Sequence, residues 1–260
     1  MLNKTIWAAA ENAPHRLDVD VMYSRRETVV MQKLFSVITP VLNSGTKIRR
    51  TIESVLSQTP DLFEYIIVDG KSTDDTFATI QPYKNEIIFV SESDRGVYDA
   101  MNKGIDRSFG KYLYFLGAGD SLRPAVLENV APLLPVAGPA LVYGNVFWEG
   151  SGLVYAGEFT KAKLKEQNIC HQAIFYERRI FDLIGKYELR FKVLADWVLN
   201  IKCFGSDRIR KHYIDFIIAD FEGDGFSLKT PDETFHRESA ELFTTYLNEN
   251  PAESRARRWN

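Results

Sequence analysis

The chain has 260 residues, 45% of them hydrophobic, a formal net charge of −3 and a pI near 5.9. That supports a substantial core in one large α/β domain or two small ones, and the charge balance gives no general attraction to polyanions, so no nucleic-acid partner is expected. Two cysteines, Cys170 and Cys203, are too few for a disulfide framework, and neither has a Cys or His at zinc-ligand spacing, which fits a reducing compartment.

The N-terminal stretch breaks a short apolar patch with Glu11, His15 and Arg16, so it lacks a signal-peptide core, and no later run is long enough to span a bilayer. The expected location is the cytoplasm, with peripheral contact at the inner face of the cell membrane left open. From Phe35 onward, apolar runs of strand length alternate with amphipathic runs of helical length. FSVIT, EYIIVD, EIIFVS and YLYFL are almost continuously hydrophobic, the mark of strands buried on both faces of a parallel sheet. Helices are expected over 47–58, 73–83 and 97–108, the second opened by a capping box in Ser72-Thr73-Asp74-Asp75. This βαβαβαβ order predicts right-handed crossovers and a Rossmann-like half with helices on both faces. Past Pro124 the pattern becomes mixed α+β. ALVYGNVFW and GLVYAGEF read as a hairpin, helices follow around 178–184 and 195–204, and HYIDFIIAD reads as a further strand on the same sheet.

Ligands of open parallel sheets bind beyond the carboxyl ends of the strands. There this sequence turns polar and glycine-rich: Thr39-Pro40-Val41-Leu42-Asn43, Asp69-Gly70-Lys71-Ser72, Ser91 to Gly96 with Asp94 and Arg95, and Gly117-Ala118-Gly119-Asp120. Asp69, Asp94 and Asp120 with backbone donors at helix starts suit a sugar nucleotide and its diphosphate. Taken alone, LGAGDSL also reads as a turn in which glycine supplies backbone freedom and the aspartate caps a helix.

FSVITPVLNSGTKIRRTIESVLSQ, YIIVDGKSTDDT, SESDRGVYDAMNKGI and YFLGAGDSL, in that order, resemble the nucleotide-binding half of family 2 glycosyltransferases over about 35–122. DRGVYDAMNKG together with ICHQAIFY and VLADW resembles the members that build bacterial surface polysaccharides, and extends the likeness to about Phe204. The resemblance implies a GT-A fold and an inverting transferase that moves a sugar from a nucleoside diphosphate sugar, UDP-sugar favoured, to a glycan or lipid-linked acceptor. It divides the chain into an N-terminal extension (1–33), one glycosyltransferase domain (34–230, with a donor half to 122 and an acceptor half from 123) and a helical tail (231–260).

Residue by residue, the resemblance implies that Asp69 contacts the nucleotide base, with capping of the following helix as the alternative. Thr39, Pro40 and Asn43 belong to the loop that lies against base and ribose; Leu42 stands where many relatives carry tyrosine. Asp94 and Arg95 are further nucleotide contacts, Asn102-Lys103-Gly104 matches an N-x-G element, and Gly119 lets the backbone approach the sugar. The family's acidic triplet is reduced here to Asp120, which is expected to hold Mg²⁺ or Mn²⁺ with diphosphate oxygens and water. Asp196 matches the general base, with a helix N-cap as the alternative. Trp197 is either a sugar-stacking face or core. His171, beside Gln172, is either a donor contact or a structural histidine, and Lys161, Lys163 and Lys165 read as a solvated charge run. The rival reading is a catalytically inactive nucleotide-sugar-binding protein, suggested by the reduced acidic motif. A nucleotidyltransferase and a dinucleotide dehydrogenase fit less well, because TPVLNSG carries neither a glycine-rich triphosphate cradle nor G-x-G-x-x-G.

Overall fold

The four apolar runs are four parallel strands, β1 (Phe35–Val41), β2 (Phe63–Asp69), β3 (Ile88–Ser91) and β4 (Tyr112–Phe115), side by side in the order β3-β2-β1-β4. The structure, a computed structural model, describes residues 33–135, 137–223 and 230–247. The expectations for the first residues and for the tail beyond 247, including RARRW, lie outside the described residues.

All seven residues of β1 are buried, as continuous hydrophobicity requires of a central strand covered on both faces. The covering helices are α1 (Ile48–Leu56), α2 (Thr76–Ile80) and α3 (Val97–Arg107). Gly104 brings α3 close to the sheet, since a Cβ there would lie 2.4 Å from Cγ2 of the buried Ile38. Gly104→Val is therefore expected to destabilise the protein by about 1–3 kcal/mol through overpacking. An unchanged urea midpoint would contradict this close approach.

Beyond β4 the sheet continues without a domain break. The further strands are β5 (Ser121–Leu122), β6 (Ala140–Trp148), β7 (Leu153–Tyr155), β8 (Ile174–Glu177) and β9 (Arg210–Phe221). β8 joins β4 antiparallel, followed in the sheet by β6, β9 and β5, while β7 forms the expected hairpin with β6. Helices α4 (Val126–Val130), α5 (Lys161–Glu166), α6 (Arg179–Ile184) and α7 (Ala195–Gly205) fill the connections; α8 (Glu233–Leu242) follows, with a π-helical turn over Phe243–Leu247.

Two local features place the site. β1 pairs with β4 only from Phe35 to Ile38, so Pro40, which has no N–H to give, lies past the end of that ladder, where the sheet opens at its switch of strand order. The capping box expected at Ser72 is absent. Ser72 instead donates its hydroxyl to Asp69 and accepts the Asn43 N–H at 2.8 Å, and α2 starts only at Thr76, whose N–H and hydroxyl both bond Asp74 Oδ1. Bonds between neighbouring strand-end loops took these side chains away from the helix start.

Candidate active site

A cavity of about 970 Å³ opens at the carboxyl ends of β1 and β4. Its walls come from Pro40 to Leu42, the start of α3, Gly117, Ala118 and Asp120, the Asn168–Gln172 segment, the start of α7 and the end of β9. Both halves of the chain therefore contribute. Lys47, at the N-cap of α1, grips Glu222 at the β9 end at 3.0 Å, and Arg50 of α1 pairs with Glu149 in the β6–β7 turn.

Asp120 is buried in this wall. Its Oδ2 accepts from Gln172 Nε2, and its Oδ1 accepts from the Glu222 N–H at 3.1 Å. The Cys170 thiol donates to Gln172 Oε1, which turns the other end of that amide toward Asp120. Burial raises the Asp120 carboxyl above its usual value, against the lowering effect of these hydrogen bonds. The two glycines before it have distinct uses. A Cβ on Gly117 would strike Asp120 Oδ2 at 2.7 Å, while on Gly119, which has φ +107°, a Cβ would strike Glu222 Oε2 at the same distance.

Asp196 occupies the second position of α7, whose N-cap is Leu194, so it is not the helix cap. Its Oδ1 lies 2.8 Å from the Tyr98 hydroxyl, its Oδ2 accepts Asn168 Nδ2 at 2.9 Å, and His171 Nδ1 is 3.9 Å from Oδ2. Desolvation raises the Asp196 carboxyl, with His171, Tyr98 and Asn168 opposing it. Tyr98 is also 2.6 Å from the Val193 carbonyl. A phenol has one proton, so it can serve the carboxylate or the carbonyl, and it can also accept from a protonated Asp196.

Among the other expected site residues, Pro40, Asp94, Arg95 and His171 line the cavity. Asp94 caps the Gly96 N–H at 2.9 Å and lies against Gly70, where a Cβ would be 2.4 Å from its Oδ2; the exposed Arg95 side chain pairs with Asp99 at 3.1 Å. Thr39, Asn43, Asp69 and Gly119 stand behind the cavity lining. The Thr39 hydroxyl bonds Tyr65 at 3.1 Å, and the Asn43 side chain accepts the Thr73 N–H at 2.9 Å. Asp69 collects the Ser72 N–H and the hydroxyls of Ser72 and Ser91, joining the β2 and β3 ends rather than capping α2. Asn102 is a clamp on the Tyr187 backbone, donating to its carbonyl and accepting its N–H, and the Lys103 ammonium bonds the Ser93 carbonyl. Trp197 reaches the cavity wall, but its ring stacks on Phe235 of α8 at 4.7 Å and its N–H bonds the Leu164 carbonyl, so it is chiefly core. Lys163 bonds the Ala156 and Glu158 carbonyls, which removes it from the expected solvated run.

Sequence reading did not single out Tyr98, Asn168 or Glu222. Tyr98 and Asn168 are 98 and 28 residues from the carboxylate they hold, and Glu222 is 102 from the aspartate it supports, so no local spacing announces them.

Comparisons with known proteins agree with this architecture. The family model described as "Glycosyl transferase family 2" matches residues 36–193. PGL/p-HBAD biosynthesis glycosyltransferases of Mycobacterium bovis and Mycobacterium tuberculosis are 40% identical over 210 residues, 78% of this chain and 82% of theirs. The poly(ribitol-phosphate) beta-N-acetylglucosaminyltransferase TarP of Staphylococcus aureus is 28% identical over 212 residues, 73% of this chain and 64% of that protein. Among solved structures, S. aureus TarS 1-349 in complex with UDP-GlcNAc has a TM-score of 0.67 at 18% identity, covering 83% of this chain and 67% of that one. The mannosyltransferase PcManGT from Pyrobaculum calidifontis, in complex with GDP-Man and Mn²⁺, has a TM-score of 0.57 at 15% identity, covering 76% of this chain and 59% of that one. At such identities the structures speak to the fold alone, and that fold is GT-A. With the family model spanning most of the chain and relatives 40% identical across three quarters of it, the chain belongs to glycosyl transferase family 2.

Proposed function

We propose that the protein is an inverting glycosyltransferase that moves a sugar from a nucleoside diphosphate sugar to a hydroxyl of a glycan or lipid-linked acceptor in bacterial surface polysaccharide synthesis. The observation that carries this reading is that Asp120, from the donor half, and Asp196, from the acceptor half, line one cavity, both buried and both desolvated. Paired carboxylates set in different surroundings suit different tasks. Asp196 takes the proton of the acceptor hydroxyl as its oxygen attacks the anomeric carbon from the face opposite the diphosphate, which departs with the electrons of the old glycosidic bond. Tyr98, its O–H turned to donate a hydrogen bond to the Val193 carbonyl, can then accept a hydrogen bond from the newly protonated Asp196, so both protonation states of the base have a partner.

The cavity fits a divalent cation in a restricted way. Among the described residues no group of three His, Cys, Asp or Glu converges to hold one. Asp120 would therefore hold Mg²⁺ or Mn²⁺ together with diphosphate oxygens and water, as magnesium commonly binds. When bound, such an ion neutralises charge on the leaving diphosphate. The names of the relatives, for PGL/p-HBAD biosynthesis and for poly(ribitol-phosphate), support a surface glycan or glycolipid acceptor, and the UDP-GlcNAc complex of a structural neighbour supports a UDP-sugar donor. Among the described residues no helix is long and apolar enough to cross a membrane. We place the protein in the cytoplasm, meeting a lipid-linked acceptor at the membrane face.

A thermal-shift screen of UDP-, GDP- and dTDP-sugars with and without Mn²⁺ tests the donor. A UDP-sugar at about 100 times its Kd is expected to add about 2.7 kcal/mol of apparent stability. No response to any nucleotide sugar would remove the proposal. In the same assay Asp69→Ala is expected to weaken free UDP about tenfold or more without metal, because the loop ends it ties together carry Leu42 and Asp94 to the cavity. Wild-type UDP affinity in that variant would remove the base-binding role of this loop.

A further inference from the structure

Asp196 and Asn200 stand one turn apart on α7, and Asn168 bridges them. Asn168 Nδ2 donates to Asp196 Oδ2 at 2.9 Å, Asn168 Oδ1 accepts from Asn200 Nδ2 at 2.9 Å, and Asn200 Oδ1 accepts the hydroxyl of Tyr176 on β8 at 2.8 Å. Asn200 and Tyr176 are fully buried, beneath the cavity rather than in its wall. An amide has one donor end and one acceptor end, so these three bonds share a direction. The Tyr187 hydroxyl lies beside that of Tyr176. Turning Asn200 round would set its carbonyl oxygen against that of Asn168, and turning Asn168 round would set its carbonyl oxygen against the Asp196 carboxylate.

We propose that Tyr176, Asn200 and Asn168 are positioning residues for sugar transfer: a hydrogen-bond chain of fixed polarity that keeps an N–H on Asp196 Oδ2 and so presents the base ionised and in one orientation. The proposal rests on Asp196 being the base. It makes the two carboxylate oxygens unequal. Oδ2 faces a donor that cannot turn, while Oδ1 faces Tyr98, which can donate or accept, and the proton taken from the acceptor is therefore stored on the Tyr98 side. The other titratable groups near Asp196 are His171 and Cys170 from the segment before β8, Tyr155 of β7, Tyr187 after α6 and Tyr176 itself, and Lys192 lines the same cavity.

The test compares full-length Tyr176→Phe and Asn200→Leu with Tyr112→Phe, which deletes an equally buried hydroxyl bonded to the Pro135 carbonyl and remote from this chain. The primary readout is the ¹³C carboxyl titration of Asp196, assigned by its loss in Asp196→Asn, which separates it from His171 and needs no ligand. Losing a donor to the ionised form moves a carboxyl midpoint upward. The Asp196 midpoint is expected to rise by about half to one pH unit in both chain variants and to stay put in Tyr112→Phe. With the UDP-sugar chosen by the stabilisation screen, turnover on the acid limb should fall about three- to tenfold while the donor KM is unchanged. If Asn200→Leu does not fold, Tyr176→Phe decides alone. A wild-type Asp196 midpoint in Tyr176→Phe overturns the chain, whatever Asp196→Asn does to transfer. A raised midpoint with undiminished transfer by Asp196→Asn overturns the base assignment, and the chain's catalytic role with it.

Discussion

Asp196→Asn should bind donor within about twofold of the wild type and transfer sugar about 10²- to 10⁴-fold more slowly, the usual scale of general-base catalysis. The substitution is close to isosteric, and the surroundings accommodate an amide. Its oxygen can keep the Asn168 bond, and its NH₂ can donate to the Tyr98 oxygen once the Tyr98 hydroxyl donates its hydrogen bond to the Val193 carbonyl, 2.6 Å away. The fold should survive for that reason. Asp196 is not the cap of α7, so no capping energy is at stake. The loss belongs in turnover rather than in donor affinity, because the missing interaction forms only as the acceptor hydroxyl reacts. In the wild type, turnover requires the ionised form, and burial holds this carboxyl above its ordinary value. The acid limb should therefore lie above the range of an exposed aspartate, about pH 4. Calorimetry of donor binding beside a transfer assay over pH checks both parts, and full transfer by the variant would return the base to some other group.

Asp120→Asn has the other large expected effect: donor affinity should stop responding to Mn²⁺, and transfer should fall at least about a hundredfold, since the charge that would hold an ion against the diphosphate is gone. This change is also felt by the fold. Both carboxylate oxygens are acceptors, for Gln172 Nε2 and for the Glu222 N–H, and an amide can satisfy only one of them as they stand. Gln172 cannot turn freely to compensate, because the Cys170 thiol donates to its other end. A stability loss of about 1–3 kcal/mol follows from the unmet bond. The two effects separate cleanly in calorimetry and urea unfolding. The stability loss is the same with or without Mn²⁺, whereas the metal response is a difference between those conditions. Donor binding that still strengthens with Mn²⁺ would show that Asp120 is not the residue that holds the ion.

The strands and most helices were legible in the sequence because burial on both faces demands continuous apolar runs, as in FEYIIVD of β2, and because helices between parallel strands have one apolar stripe. The strand-end rim was legible in part for the same reason: an open parallel sheet leaves its ligand site at the carboxyl ends, and of the three aspartates expected there Asp94 and Asp120 line the cavity, while Asp69 joins the β2 and β3 ends behind it. Asp196 stands in the first turn of a helix that begins where the sequence placed it.

What only the tertiary structure decided is how each polar side chain spends its hydrogen bonds. Ser72 left the expected helix start for Asp69 and Asn43, Trp197 turned to Phe235, and Asn102 clamps the Tyr187 backbone. The partners of Asp120 and Asp196 were likewise invisible: Gln172 and Glu222 for one, Tyr98 and Asn168 for the other, each brought in from a distant segment. The physical reason is a difference of range. Hydrophobic periodicity is local and repeats along the chain, so a sequence displays it. A buried carboxylate must find donors wherever the fold supplies them, and a hydrogen bond across a cavity wall leaves no periodic trace in the residues that make it.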